Sequence, residues 1–251
     1  MLSTRRRAEI LRLLTTEGPL EVGDLAARLD TSPATVRRDL AELAAKGTVI
    51  RERGGARVNP ASAEQSFNVT AVANTEDKDA IAARAAEFVW DSSVVLIDIG
   101  TTTVRLARAL RGRALTVVTS SLAVYHELAS DPHVELILLG GAVRKNYRSL
   151  VGFLTEDALR QLRVDIAFLG ASGVRPTGEV MDTTTVEIPV KRGMLAAARQ
   201  SMLLVDATKF PGGGLGRICN AAELDGVLTN RGANPETLNR LRKSGVEVLE
   251  A

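Results

Sequence analysis

The sequence predicts an α/β protein: a small winged helix-turn-helix domain followed by a larger domain built on a mainly parallel sheet. Three observations predict it. Beyond residue 78, short apolar runs (VVLIDI, LTVVT, VELILLGG, DIAFLGA, SMLLVDA, GVLTN, VEVL) alternate with helical patterns. Strands that are apolar on both faces and separated by helices form parallel sheets covered on each side. The first 58 residues instead hold three short helical patterns and a basic hairpin. Between these regions NPASAEQSFNVTAVANTED loses periodicity and gathers Pro, Ser, Asn and Thr, which predicts domains at 1–58 and 78–251 joined by a linker at 59–77.

The first helix runs from Ser3 with Ile10, Leu13 and Leu14 on one face, and stops where Gly18 and Pro19 break it. Leu25 and Leu29 repeat the spacing in a second helix ending near Asp30. In TSPATVRRDLAELAAKG, Ser32 suits the N-cap and Pro33 the first turn, while Val36, Leu40 and Leu43 face inward and Gly47 ends the helix. Ala34, Thr35, Arg37 and Arg38 are left pointing outward. TVIRERGGARV then reads as a strand, a Gly54-Gly55 turn and a return strand carrying Arg51, Arg53 and Arg57.

Charge sharpens this picture. The whole chain of 251 residues has a formal net charge of only +2, but residues 1–58 hold 11 Lys or Arg against 8 Asp or Glu, leaving 21 basic and 22 acidic residues beyond. The basic excess sits at one end, where small side chains let a helix approach base edges and arginine can take guanine bidentately or grip phosphate. Arg5, Ser32, Ala34, Thr35, Arg37, Arg38, Arg51 and Arg53 are the candidate contacts to DNA. Aromatic residues make up 3% of the chain, which fits a reader of duplex better than base stacking on single strands.

SPATVRRDLAEL followed by RERGGARV resembles the amino-terminal signature of the DeoR family of bacterial transcriptional regulators. The larger domain resembles the sensor domain of the same family, from IDIGTTT through TSSLAV, LLGGAVRKNYRSLVG, DIAFLGASGV and VEIPVKRGML to VDATKF. The resemblance implies a repressor, a phosphorylated sugar or related metabolite as effector, and a sensor fold related to the ribose-5-phosphate isomerases. It departs from the family pattern at three places: Ser120 stands where asparagine is common, Thr70 near a usual arginine, and Asn230 where aspartate is frequent.

Position in the larger domain points to a ligand site independently, because ligands of such sheets bind beyond the carboxyl ends of strands. Asp98, Gly100, Thr101, Thr102 and Thr103 follow one strand, and Thr119, Ser120 and Ser121 the next. Gly140, Gly141 and Arg144 follow LILL, and Asp206 and Lys209 follow LLV. Glycine permits close backbone approach, amides at a helix start favour an anion, and threonine hydroxyls add donors. One Gly-Thr-Thr run is often only a helix cap; four polar strand ends together point to a phosphate-bearing ligand. Glu187, Lys191 and Arg192 lie at i, i+4 and i+5 of one helix, so Glu187 and Lys191 can pair along its face or serve the ligand. Arg144, Lys145 and Arg148 can close over an anion or stay in solvent, and GGGLG, Gly212 to Gly216, suits either a lid or a loose turn.

Two enzyme classes are weighed against a sensor. Actin-like sugar kinases carry Asp-x-Gly-Thr-Thr in a hairpin, whereas Val104, Leu106, Ala107 and Leu110 here have helical spacing. Sugar-phosphate isomerases of the related fold carry an Asp-Gly-Ala-Asp-Glu run, where this chain reads LGASG, Leu169 to Gly173, and an isomerase needs a positioned base. A sugar-phosphate isomerase fused to a DNA-binding domain is the alternative, and a purely structural DNA-binding protein the other rival. No cofactor and no metal is expected: His126 and His133 lack ligand spacing, and the single Cys219 reads as packing. No run approaches the roughly 20 apolar residues of a membrane helix, and the arginine-rich start lacks a signal peptide's apolar stretch, so the expected location is the cytoplasm. A homodimer or homotetramer is expected, since paired recognition helices read paired half-sites.

Overall fold

The computed structural model describes residues 3–45, 48–58 and 67–251, and packing divides the chain into two units, Met1–Ala73 and Asn74–Ala251. Gly47, expected to end the third helix, and residues 59–66 of the expected linker lie outside the described residues.

The first unit contains helices α1 (Ser3–Glu17), α2 (Val22–Arg28), α3 (Pro33–Ala45) and α4 (Phe67–Ala71), and strands β1 (Leu20–Glu21), β2 (Val49–Glu52) and β3 (Gly55–Val58). Ile10, Leu14, Leu25, Val36, Leu40 and Leu43 meet in one buried core, so the apolar spacing of each helix decides which face turns inward. The hairpin turn differs from the expectation: Glu52 pairs with Gly55, so the two turn residues are Arg53 and Gly54, with Gly54 at φ +90°. Gly55 belongs to the strand because β1 pairs there too, and a Cβ on Gly55 would stand 2.3 Å from the Leu20 carbonyl oxygen. The two-residue strand β1 has too little pattern to be read from sequence. Residues 67–71 and 75–77, within the stretch read as a linker, are helical.

The second unit runs α5 (Thr75–Ala86), β4 (Val94–Ile97), α6 (Thr101–Ala109), β5 (Leu115–Thr119), α7 (Leu122–Leu128), β6 (Val134–Leu138), β7 (Ala142–Arg144), β8 (Ser149–Val151), α8 (Phe153–Gln161), β9 (Val164–Leu169), β10 (Gly173–Val174), β11 (Glu179–Asp182), α9 (Ile188–Ala197), β12 (Ala198–Leu204), β13 (Gly216–Asn220), β14 (Gly226–Thr229), α10 (Pro235–Lys243) and β15 (Glu247–Glu250). Seven strands form a parallel sheet in the order β15-β14-β12-β9-β4-β5-β6. Side chains of β4 alternate between two cores. Val95 and Ile97 join Ile81, Leu106 and Val124 on one face, and Leu96 joins Leu159, Val190, Met194 and Leu238 on the other. The chain leaves β4 towards β5 and β6, then returns to β9 on the other side of β4, so the strand order reverses between β4 and β9. In open α/β sheets the crevice above such a switch point is where ligands bind.

Two smaller antiparallel pieces, β7-β8 and β10-β11-β13, accompany the main sheet. Within the Gly212–Gly216 run Gly212, Gly214 and Gly216 are closely packed, whereas Leu215 is exposed. A Cβ on Gly173 would stand 2.4 Å from the Gly213 amide, one on Gly214 would stand 2.7 Å from the Asp182 carbonyl oxygen, and the Gly212 amide donates to the Val174 carbonyl at 2.9 Å. Cys219 is buried, which pushes its thiol up to about 12. Among the described residues no helix is long and apolar enough to cross a membrane.

Candidate functional site

In the first unit the carboxyl-terminal helix of the helix-turn-helix, α3, is fixed from beneath. Ser32 caps it: its hydroxyl accepts from the Thr35 amide at 3.2 Å and pairs with the Thr35 hydroxyl at 2.9 Å. Val36, Asp39, Leu40 and Leu43 form its buried stripe. Asp39 was not singled out in the sequence, yet it meets the Arg6 guanidinium of α1 at 2.5 Å and that of Arg7 at 3.7 Å, tying α1 to α3. The hydrogen bond to Asp39 raises the pKa of Arg6. Arg37 and Arg38 flank this anchor and are exposed, as is Ala34. Arg51 and Arg53 are exposed in the hairpin, and Arg37 and Arg51 line one shallow cleft with Gly54 between helix and hairpin. Arg57 pairs with Glu52 at 2.5 Å. The side chain of Arg5 lies outside the described residues.

In the second unit the candidate residues gather above the switch point. Asp98, after β4, is fully buried; its Oδ2 accepts from the Gly170 amide at 2.9 Å, joining the ends of β4 and β9. Lys191 of α9 also donates to Asp98 Oδ2, donates to the Gly170 carbonyl at 2.9 Å, and lies 3.7 Å from Asp182 Oδ2. Burial alone would lower the pKa of this lysine, but the carboxylates of Asp98 and Asp182 outweigh it and the value is raised. Lys191 is therefore a protonated clasp among Asp98, Asp182 and the Gly170 carbonyl.

Glu187, which can pair with Lys191 along the helix or serve the ligand, takes other direct partners. Glu187 ends a short 3-10 turn, Thr185–Glu187, instead of lying within α9, and its Oε1 accepts from the Ser149 hydroxyl at 2.7 Å and from Arg144. Burial raises the Glu187 carboxyl, opposed first by Ser149 and then by Lys191 and Arg144. Arg144 is thereby held through the β7-β8 hairpin. Two carboxylate oxygens at this rim, Asp98 Oδ1 and Glu187 Oε2, are buried without a hydrogen-bond donor, and so is the Ser120 hydroxyl. Such orphaned groups cost free energy unless a ligand or water completes them.

Other candidates have structural duties. Gly100 has φ +144° and opens α6, whose first turn holds Thr101 and Thr102, both more than nine-tenths buried. The Thr103 hydroxyl is committed to the Asp98 carbonyl at 2.7 Å and the Gly100 carbonyl at 3.1 Å. Ser121 caps α7 by accepting from the Val124 amide, and Thr119 donates to the Ile97 carbonyl. Thr155 donates to the Gly140 carbonyl at 2.6 Å, and a Cβ on Gly141 would stand 2.3 Å from the Thr155 hydroxyl, so Gly141 serves close packing against α8, whereas a Cβ on Gly140 would meet open space. Asp206 caps the 3-10 turn Ala207–Lys209 by accepting from the Thr208 amide at 3.0 Å. Asn230 accepts from the Ala207 amide at 2.7 Å and so supports the same turn. Lys209 is half-buried at its end.

Comparison with known proteins agrees with both halves of this description. The DeoR-like helix-turn-helix domain matches residues 6–61, and the DeoR C terminal sensor domain matches residues 73–231. The chain is 31% identical over 245 residues to the HTH-type transcriptional repressor CsqR of Escherichia coli K12, covering 97% of this chain and 94% of the relative. It is 32% identical over 231 residues to the glycerol-3-phosphate regulon repressor of the same strain, covering 92% of each. Among solved structures, ribose 5-phosphate isomerase A of Methanocaldococcus jannaschii matches 55% of each chain with 19% identity and a TM-score of 0.41.

Proposed function

The chain belongs to the DeoR family of transcriptional regulators, and from that premise we propose that it is a repressor which grips operator DNA with its first unit and releases it when a phosphorylated carbohydrate occupies the crevice of its second. The observation that carries the proposal is the pair of buried acceptors without donors, Asp98 Oδ1 and Glu187 Oε2, in the same unit as the α6 amino terminus. Hydroxyl groups of a sugar are the donors such oxygens lack, and amides at a helix start favour an anionic group. One relative spanning nearly the whole chain is named for a glycerol-3-phosphate regulon, which supports a phosphorylated polyol or sugar here too.

The same geometry speaks against isomerisation. Proton transfer between carbons needs a free, positioned base, whereas Asp98 is clasped by Lys191 and Glu187 by Ser149 and Arg144. A ligand held between these groups is gripped without being transformed.

For DNA, Arg37 and Arg38 of α3 enter the major groove and Arg51 and Arg53 of the hairpin reach the flanking backbone, with Thr35 and Ala34 allowing close approach. The protein acts as a symmetric dimer or tetramer, because paired recognition helices match paired half-sites. Release follows only if the effector prefers the conformation that binds DNA poorly. Thermal-shift screening of the full chain against aldose, ketose and polyol phosphates, followed by operator release with the best compound, tests the proposal. Turnover of such a compound, or operator affinity indifferent to every one of them, would overturn it.

A further inference from the structure

The two faces of the main sheet are covered unequally at its β6 edge. On one face Val134 and Leu136 of β6 pack into the core shared with Val124 and Leu128 of α7. On the other face Glu135 and Ile137 are exposed. Ile137 pairs in register with Val118, and Val118 with Leu96, and these two inner residues lie in one core with Leu159 of α8. The core on the α8 side therefore stops at β5, and β6 is bare.

The apolar surface continues onto α8. Thr155, in the first turn of that helix, donates to the Gly140 carbonyl just past β6, which sets the start of α8 beside the same edge. There Phe153 is 72% exposed and Leu154 55%, and Val143, two residues beyond Gly141, is 56% exposed. The helix itself does not ask for these side chains: Phe153 is its first residue, where an acidic group would suit the helix dipole better. Neighbouring apolar side chains left in water in this way mark an interaction surface.

The charges beside them indicate what covers it. Asp157 and Arg160 follow Phe153 at i+4 and i+7, so they share its exposed side of α8, and they pair with each other. One acid and one base on a single helix face are complementary to the same face turned around. A two-fold axis crossing α8 between them sets Asp157 of each copy against Arg160 of the other. Resting on the repressor reading, which calls for a second copy, and deepening it, we propose that the start of α8 and the bare face of β6 form a two-fold interface with a second copy of this chain, burying Phe153 and Leu154 and crossing Asp157 with Arg160.

Sedimentation velocity of the full chain over a concentration series is the test. Wild type should associate, and Phe153→Glu should move association to at least about tenfold higher concentration, as expected for an apolar anchor at the centre of an interface. Leu215→Glu, which changes an equally exposed apolar residue in the loop before β13, should match wild type. Asp157→Arg and Arg160→Asp should each weaken association, and the two together should restore it, because the exchange rebuilds the crossed pairs. Melting curves verify that each variant is folded. A monomeric wild type, or an assembly that ignores Phe153→Glu, gives the face to a different protein or to another part of the same chain and overturns the proposal; a double exchange that fails to restore association overturns the crossed geometry. The two readings fail separately. If sugar phosphates free the operator but the assembly ignores Phe153→Glu, the interface falls and the repressor reading stands; if Phe153→Glu dissociates the assembly but no sugar phosphate frees the operator, the reverse holds.

Discussion

Replacing Lys78 by methionine should make the second unit more stable. The ammonium is lowered from 10.5 to about 8, and at 1.36 kcal/mol per pH unit this makes the charged lysine cost at most about 3 kcal/mol in the folded state. The figure is net, because the favourable attraction of Asp206 is already inside the shift. Methionine keeps the length and apolar stem of the side chain without the charge. The folded pKa lies below the unfolded one, so between about pH 8 and 10.5 the unfolded chain binds more protons and wild-type stability rises with pH. Below pH 8 the full cost is present. The advantage of Lys78→Met should therefore be largest near pH 7 and fade as pH climbs towards 10.5. For a unit of this size about 3 kcal/mol corresponds to a Tm difference of roughly 6–12 °C. Urea denaturation and calorimetric melting at pH 7 and pH 9.5 measure it. A variant less stable than wild type at pH 7, or an advantage that does not change with pH, would refute the assignment of a costly buried charge.

Arg37→Ala or Arg38→Ala should weaken operator binding by about 1–3 kcal/mol if the lost contact is a bidentate one to a base; fluorescence anisotropy at several salt concentrations checks this, and unchanged binding removes α3 from the groove. Thr102→Val, in the buried first turn of α6, should leave DNA binding intact and blunt operator release by sugar phosphate; an unaltered effector titration takes that loop out of the site. Asp98→Asn strips the buried Lys191 of its nearest carboxylate and should cost about 3–5 kcal/mol in urea denaturation, with Lys191→Met restoring much of the loss. Gly55→Ala would bring a Cβ within 2.3 Å of the Leu20 carbonyl oxygen and should destabilise the first unit by about 1–3 kcal/mol in thermal melts.

All seven strands of the parallel sheet were legible in the sequence, because each is a compact apolar run bounded by polar or glycine residues; the inner strands are largely buried on both faces, while the edge strands β6 and β15 are partly exposed. The small antiparallel pieces were not: β7, β8, β10 and β11 have two to four residues each, too few for a period-2 pattern. At the site, strand-end polar residues such as Asp98 and Asp206 were found by position alone, whereas their partners come from distant segments. Lys191 reaches Asp98 across 93 residues, and Asn74 reaches Asp206 across 132. Helical spacing suggested that Glu187 and Lys191 could pair with each other, since i, i+4 is a short-range rule; tertiary partners with better geometry took both. One signal was present and unused. Asp39, Lys78 and Lys191 each fall in register with the buried stripe of their helix, and a charge on an apolar stripe needs a buried partner or a ligand.

Those three charges are not equivalent. A buried ion pair can often be exchanged for apolar side chains with a gain in stability, so each charge retained in a core has to be explained by what it holds. Asp39 holds α1 against α3, and Lys191 holds β4 to β9 through Asp98 and the Gly170 carbonyl. In the Lys191 clasp the attraction of the carboxylates exceeds the cost of burial and the ammonium is raised; at Lys78 the balance is the other way, and the ammonium is lowered. An incoming anion can add little to a lysine already saturated by two carboxylates. At Lys78 the attraction of Asp206 opposes burial without reversing it, so this charge weighs on the fold where the clasped one does not.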